Sequence, residues 1–176
     1  MISLIIPTYT INEELEEMAI IAALSYREQV HELIVVEDGG KISEELMGVV
    51  DIYVRLTKNY GFTTAVNEGW RLARGNYLIT ANSDTQLIDG NLKDLCKVGK
   101  VTCPKVSGYN VEKLCGAFFC VPSDVIKERG YLREEFPMYG SDSEFEHRTE
   151  DIFEYVPSVD VYHKGASTTS VAGVHP

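Results

Sequence analysis

Basic residues are scarce in this chain of 176 residues: Lys and Arg number 16 against 27 Asp and Glu, a formal net charge of −11. No cluster of Lys and Arg stands out, so no nucleic-acid partner is expected, because binding a phosphate backbone draws on grouped cations. Docking by charge alone onto anionic lipid is disfavoured for the same reason. A nucleotide stays compatible, since a bound divalent cation reverses the local sign. Cysteines are few and form no CxxC pair. Cys96, Cys103, Cys115 and Cys120 stand in apolar surroundings and read as buried thiols of a reducing compartment, not as a zinc site. No run approaches the ~18 apolar residues of a membrane span, so no integral membrane segment is expected. Met1 leads straight into Ile2-Ser3-Leu4-Ile5-Ile6-Pro7 without a basic start. No secretory leader is read there, and a cytoplasmic location is expected. Neither GxxxxGK(S/T) nor GxGxxG occurs, which argues against a P-loop NTPase and a dinucleotide-dependent dehydrogenase. Repeats, low-complexity tracts and interdomain linkers are also missing. The chain reads as one domain, and its 44% hydrophobic content suffices for a sizeable core.

What is present is organised around Tyr77-Leu78-Ile79-Thr80-Ala81-Asn82-Ser83-Asp84-Thr85. A short apolar run, fit for a strand in the middle of a sheet, ends in residues that bond their own backbone in turns. Upstream, Ile2 to Ile6 reads as a buried strand ended by Pro7. Asn12 then caps a helix whose Leu15, Met18, Ala19 and Ala22 share a stripe, with Glu13, Glu14, Glu16 and Glu17 near its positive end. Glu32 to Val36 is a second strand, and the strand–helix–strand order makes a right-handed βαβ unit. A third strand is expected over Asp51 to Leu56. A helix is expected over Phe62 to Arg74, stopped by Gly75. This alternation makes an α/β sheet, mostly parallel and flanked by helices, the expected fold. In the second half, Asp89 is expected to cap a short helix over Leu92 and Leu95. Leu114 to Val121 reads as a strand and Ser123 to Gly130 as a helix. Ser141 opens a polar helical turn, Tyr155 to His163 supplies one or two closing strands around Pro157, and 167–176 reads as a mobile tail.

Three acidic points emerge from loops: Asp38, Asp84 and Asp142. In a parallel sheet the first two share the edge at the strands' carboxyl ends, where open α/β sheets bind ligands, and Tyr9 follows strand one on that edge. An aromatic face, a hydrogen-bonding carboxylate and a metal-holding carboxylate together suit a base, its sugar and a diphosphate.

In order along the chain come Ile5-Ile6-Pro7-Thr8-Tyr9, Val35-Val36-Glu37-Asp38-Gly39, and Asn59-Tyr60-Gly61 with Ala65, Asn67, Gly69, Ala73 and Gly75. Asn82-Ser83-Asp84-Thr85 and Gly116-Ala117-Phe118-Phe119 follow, then Phe136 to Glu144 with Arg148, and Val161-Tyr162-His163 with Ser167. This succession resembles the inverting nucleotide-sugar glycosyltransferases of the GT-A fold, the large family 2 and especially its rhamnosyltransferase-like members. The resemblance implies a single GT-A-like domain, with a Rossmann-like donor-binding half over 1–85 and an acceptor and catalytic half over 86–166.

It also implies roles. Thr8 and Tyr9 match the loop that holds the nucleobase, and Asp38 the carboxylate that bonds the base. Asn59 and Gly61 match the loop near ribose and diphosphate. Asp84 matches the last residue of the DxD motif, whose carboxylate binds Mn²⁺ or Mg²⁺ bridging the donor's phosphates, flanked by Asn82 and Ser83. His163 matches a histidine that completes the metal's shell in some relatives. Asp142 matches the general base of the Glu-Asp motif. The implied partners are a UDP-, dTDP- or GDP-sugar donor and a glycan, lipid-linked or protein acceptor; a lipid-linked acceptor would bring the enzyme near a membrane, with no anchor read in the sequence.

Two positions depart from the pattern: Asn82 replaces the first DxD carboxylate, and Ser141 replaces the glutamate beside the base. They motivate a rival reading, a degenerate relative that binds nucleotide or glycan without turnover. A sugar-phosphate nucleotidyltransferase ranks last, because its Gly-rich basic first loop is here Pro7-Thr8-Tyr9-Thr10. Arg148 is expected to pair with a nearby carboxylate, and Glu144, one turn beyond Asp142, is the rival base.

Overall fold

The computed structural model describes residues 1–108 and 113–165. The 167–176 tail and Ser167 lie outside the described residues. The elements run β1 (Ile2–Thr8), α1 (Glu13–Arg27), β2 (Glu32–Glu37), α2 (Glu44–Val49), β3 (Ile52–Arg55), α3 (Phe62–Leu72), β4 (Tyr77–Ala81) and β5 (Thr85–Asp89). A 3₁₀ turn over Leu92–Leu95 leads to β6 (Val101–Val106), β7 (Phe118–Pro122), α4 (Ser123–Arg129), α5 (Ser141–Thr149) and β8 (Phe153–His163). One eight-stranded sheet has the order β3-β2-β1-β4-β7-β6-β8-β5. The β3-β2-β1-β4 half is parallel throughout. Beyond β4 the sheet is mixed: β7 runs antiparallel to β4 and β6, β8 parallel to β6, and β5 antiparallel to β8. The α/β architecture is as the sequence reading expects.

Strand period two divides the core. Leu4, Ile6, Leu33, Val35 and Ile79 face Ala19, Ala22, Ala23 and Tyr26 of α1. Ile5, Ile34, Val36 and Leu78 face Ala65, Val66 and Trp70 of α3. Gly69 lets α3 lie against β1, since a Cβ there would sit 2.3 Å from Ile5 Cγ2. No helix among the described residues is long and apolar enough to cross a membrane. The four cysteines are free thiols, three buried and Cys96 half-buried.

Several boundaries differ from expectation. β1 continues through Pro7 to Thr8, because its pairing with β4 ends at Ile5–Thr80 and the missing N–H falls beyond that ladder. Asn91, not Asp89, caps the turn over Leu92–Leu95, its side chain accepting from Lys93 N at 3.0 Å; Asp89 ends β5. α3 stops at Leu72, before Arg74. The strand expected from Leu114 begins only at Phe118. Tyr155 to His163 lies in one strand, with a register shift that moves the partner from Val156 to Asp160 around Pro157. Asn12 does cap α1, its Oδ1 accepting from Leu15 N at 2.9 Å.

Candidate active site

The parallel strands β1, β2 and β4 deliver Thr8, Asp38 and Asn82-Ser83-Asp84 to one edge of the sheet. Thr8 is buried with its hydroxyl 3.3 Å from that of Thr10, and Tyr9 beside it is half-buried. Asp38 N donates to Thr8 O at 2.7 Å.

The Asp38 carboxylate accepts from Tyr60 N at 2.7 Å and Gly61 N at 2.8 Å. It therefore holds the Lys58–Gly61 loop, leaving its remaining lone pairs for a ligand. Burial raises its pKa, with the two N–H bonds pulling the other way. Gly39 is required here: at φ 82° its missing Cβ would lie 2.2 Å from Lys58 C. Asn59 is exposed on this loop and Gly61 is buried at its end.

Glu37 is the functional-edge residue that the sequence reading passed over as a strand end. Fully buried, it accepts from Thr10 N at 3.0 Å and Gly40 N at 2.8 Å, so it shapes the Thr8–Thr10 loop. Burial raises its pKa too, and the neighbouring Asp38 adds to that. The adjacent acids before Gly39-Gly40 were the available signal.

The Asn82–Thr85 turn is braced from below. Tyr26 Oη donates to Thr85 Oγ1 at 2.9 Å, which donates to Asn82 O at 2.6 Å, and Asn82 N bonds Ala117 O at 2.8 Å. Burial holds the Tyr26 pKa well above its ordinary value, so the hydroxyl stays a donor. Ser83 is buried beside them. Because β8 pairs with β5 in the register Thr85–His163, the His163 ring reaches Asp84: Nε2 lies 3.2 Å from Oδ1. His163 N bonds Ser107 Oγ at 2.9 Å, and Lys164 closes the corner through Asp84 O at 3.1 Å and Glu14 Oε1 at 2.9 Å.

This pair fits a divalent cation. Two ligand atoms at right angles on an octahedral ion, each at about 2.1 Å, lie about 3.0 Å apart. A carboxylate with an imidazole suits Mn²⁺, and a carboxylate alone suits Mg²⁺. Asn82 Oδ1 is buried without a hydrogen-bond partner among the described residues, a carbonyl oxygen in reserve. Among the described residues no group of three or more His, Cys, Asp or Glu gathers for a metal.

Asp142 stands in the first turn of α5, after Gly140 at φ 89°. The helix is anchored by buried Phe145, whose ring lies 5.8 Å from Trp70 and 6.4 Å from Phe119. Asp142 Oδ1 accepts from Ser143 N at 2.9 Å, and Oδ2 lies over Gly116. Ser141, where the family pattern has glutamate, is buried with its hydroxyl in hydrogen-bond contact with Thr63 Oγ1 at 2.9 Å. Thr63 N also bonds Pro137 O at 3.1 Å, so the start of α3 ties the Asp38-held loop to the Asp142 loop. Asn67 adds a second tie: it bonds Leu132 N and O at 3.1 and 2.9 Å. Glu144 is clasped by Arg148 at 2.7 Å and Arg133 at 3.0 Å, which gives Arg148 its expected carboxylate.

A methyl group on Gly116 would sit 2.6 Å from Asp142 Oδ2 and 3.0 Å from its Cβ and Cγ. Since Cβ itself is crowded, the carboxylate must move. Gly116→Ala is expected to lower sugar transfer by about 10²-fold, the usual cost of an ångström's misplacement, with nucleotide affinity and melting temperature retained. Steady-state kinetics check this; an unchanged kcat would mean that Gly116 is silent.

The sheet, parallel up to its central strand and mixed beyond it, has the GT-A fold of the glycosyltransferase structures it resembles. The chain belongs to glycosyl transferase family 2, whose model matches residues 3–111. It is similar to the undecaprenyl-phosphate 4-deoxy-4-formamido-L-arabinose transferase of Proteus mirabilis (strain HI4320), 34% identical over 95 residues, covering 48% of this chain and 29% of that protein. Among solved structures it resembles S. aureus TarS 1-349 in complex with UDP-GlcNAc, with TM-score 0.73 and 17% identity over 96% of this chain and 60% of that one. It also resembles GalNAc-T7 with UDP, GalNAc and Mn²⁺, with TM-score 0.77 and 13% identity over 92% of this chain and 42% of that one. At these identities the structural likeness is one of fold. The chain spans less than two thirds of the length of each of these proteins.

Proposed function

We propose that this domain is a metal-dependent inverting glycosyltransferase that moves a sugar from a nucleoside-diphosphate sugar to a hydroxyl of a glycan, lipid-linked or protein acceptor. The observation that carries the reading is the meeting of Asp84 and His163 at 3.2 Å on the edge that also bears Asp38. In this reading Thr8, Tyr9 and the Asp38-held loop with Asn59 and Gly61 receive the nucleoside. Asn82 and Ser83 face the ribose and diphosphate, and Asp84 with His163 holds Mn²⁺ or Mg²⁺. When bound, that cation offsets charge building on the departing nucleoside diphosphate. Asp142 accepts the acceptor hydroxyl's proton while the oxygen attacks the anomeric carbon opposite the leaving group, which inverts that carbon. The transition state has oxocarbenium character, as in glycoside hydrolysis. The similar solved proteins that carry UDP, or UDP-GlcNAc, support a uridine donor. The relative named for undecaprenyl phosphate supports work beside a membrane.

Calorimetry with UDP, dTDP and GDP, each with and without Mn²⁺, tests this. UDP binding that requires Mn²⁺ is expected. Folded protein that binds none of the three overturns the donor site. Slow hydrolysis of the bound donor distinguishes an enzyme from a binder without turnover.

A further inference from the structure

Three large aromatic side chains remain exposed around one junction: Tyr60 at 43%, Phe136 at 37% and Tyr139 at 55%. A single exposed aromatic is ordinary, but several gathered beside a site point to a ligand. The gathering follows from the backbone. Gly61 lies against Pro137, where a Cβ on Gly61 would meet Pro137 O at 2.4 Å. Tyr60 therefore flanks the loop that bears Phe136 and Tyr139. Thr63 fixes that loop through Phe136 O at 2.5 Å and Pro137 O at 3.1 Å, so the rings are displayed from a fastened backbone. Phe136 Cδ1 lies 3.7 Å from where a Cβ on Gly140 would stand, and the chain turns there into α5. Three residues span at most about 11 Å, so Tyr139 lies within a disaccharide's length of Asp142.

The two arginines of this rim are already paired. Arg133 pairs with Glu144 at 3.0 Å and Glu135 at 3.6 Å, and Arg71 pairs with Glu68 at 2.7 Å and Glu134 at 3.2 Å. Lys58 lies over the Tyr60 ring, 4.9 Å from its centroid, on the donor side. Neither arginine of this rim is left over to receive a phosphate, and the chain is strongly acidic.

We infer that Phe136 and Tyr139, with Tyr60 at the rim, form the acceptor platform, and that the acceptor is a neutral sugar. The apolar C–H face of a pyranose packs on the rings while one of its hydroxyls reaches Asp142. Tyrosine suits this use, offering a large face and a polar tip with few rotors to freeze. The inference rests on the proposed transferase function and narrows its acceptor to one chemical class, against a lipid phosphate.

Saturation-transfer NMR on the full chain tests it with the methyl β-glycosides of glucose, galactose and N-acetylglucosamine, and separately with undecaprenyl phosphate in detergent. At least one glycoside is expected to receive saturation at its ring C–H protons. The signal should fall about three- to tenfold in Tyr139→Ala, the range of a single aromatic contact, and return in Tyr139→Phe. Phe136→Ala is expected to act in the same direction. No transfer to any glycoside, no change in Tyr139→Ala, or preferential binding of undecaprenyl phosphate overturns the inference. Each sample is run with and without UDP and Mn²⁺. A failed UDP titration thus counts against the donor site, and the glycoside result is scored by itself.

Discussion

Asp142→Asn is expected to lower sugar transfer by about 10²–10⁴-fold, the range that a positioned general base supplies, and to leave nucleotide binding in place. The substitution is nearly isosteric. An amide oxygen can still accept from Ser143 N, as Asp142 Oδ1 does, and the side chain still fits over Gly116. Ser141 keeps its bond to Thr63, and Phe145 keeps α5 in the core. The structural cost is the lost interaction of a carboxylate with the helix's positive end, about 0.3–1 kcal/mol. A large fall in kcat with an unchanged fold therefore reads as lost proton acceptance. Transfer rates and the melting temperature check it together. If the variant transfers sugar at the parent's rate, the base lies elsewhere. Glu144 is then a poor replacement, because Arg148 and Arg133 already engage its oxygens.

Asp84→Ala is expected to have an effect of similar size, lowering transfer by about 10³-fold and abolishing the Mn²⁺ dependence of UDP binding. Among the described residues no third His, Cys, Asp or Glu gathers with Asp84 and His163, so none of them replaces the lost carboxylate. The turn itself is held through other atoms, by Tyr26, Thr85 and the backbone of Asn82 and Ala117. The loss should therefore appear in metal and nucleotide titrations rather than in unfolding. Retained Mn²⁺-dependent binding in the alanine variant would move the metal away from this edge.

Local pattern was enough wherever a residue's role depends on its neighbours in sequence. The apolar runs of β1, β2 and β4, the Asn12 cap and the Gly130 stop are of that kind, and they already put Asp38 and Asp84 on one edge. What stayed hidden depends on distant pairing. β5 has no local signature of its own, because only its ladder with β8 makes it a strand, and that ladder is what carries His163 to Asp84. Their meeting was suggested by family resemblance and not by spacing. Glu37 looked like the end of a strand because its partners, Thr10 N and Gly40 N, are backbone groups without a residue signature. Gly116 belonged to a recognisable motif, yet its reason, the room it leaves for the Asp142 carboxylate, is steric and invisible until the loops are folded. Ser141 looked like a weakened motif; its bond to Thr63 gives it a structural task instead.

The lateness of β8 in the chain has a consequence for biosynthesis. Asp84 leaves the ribosome well before His163, and synthesis proceeds at about 5–20 residues per second, so the two are separated by several seconds. During that interval β1, β2, β3 and β4 can already pair with one another, while β5 lacks its neighbour and one side of β6 stays open. Open strand edges of this kind recruit other chains. The nascent protein thus keeps one side of β6 open until β8 is made, and the strand that brings His163 to Asp84 is also the one that covers it.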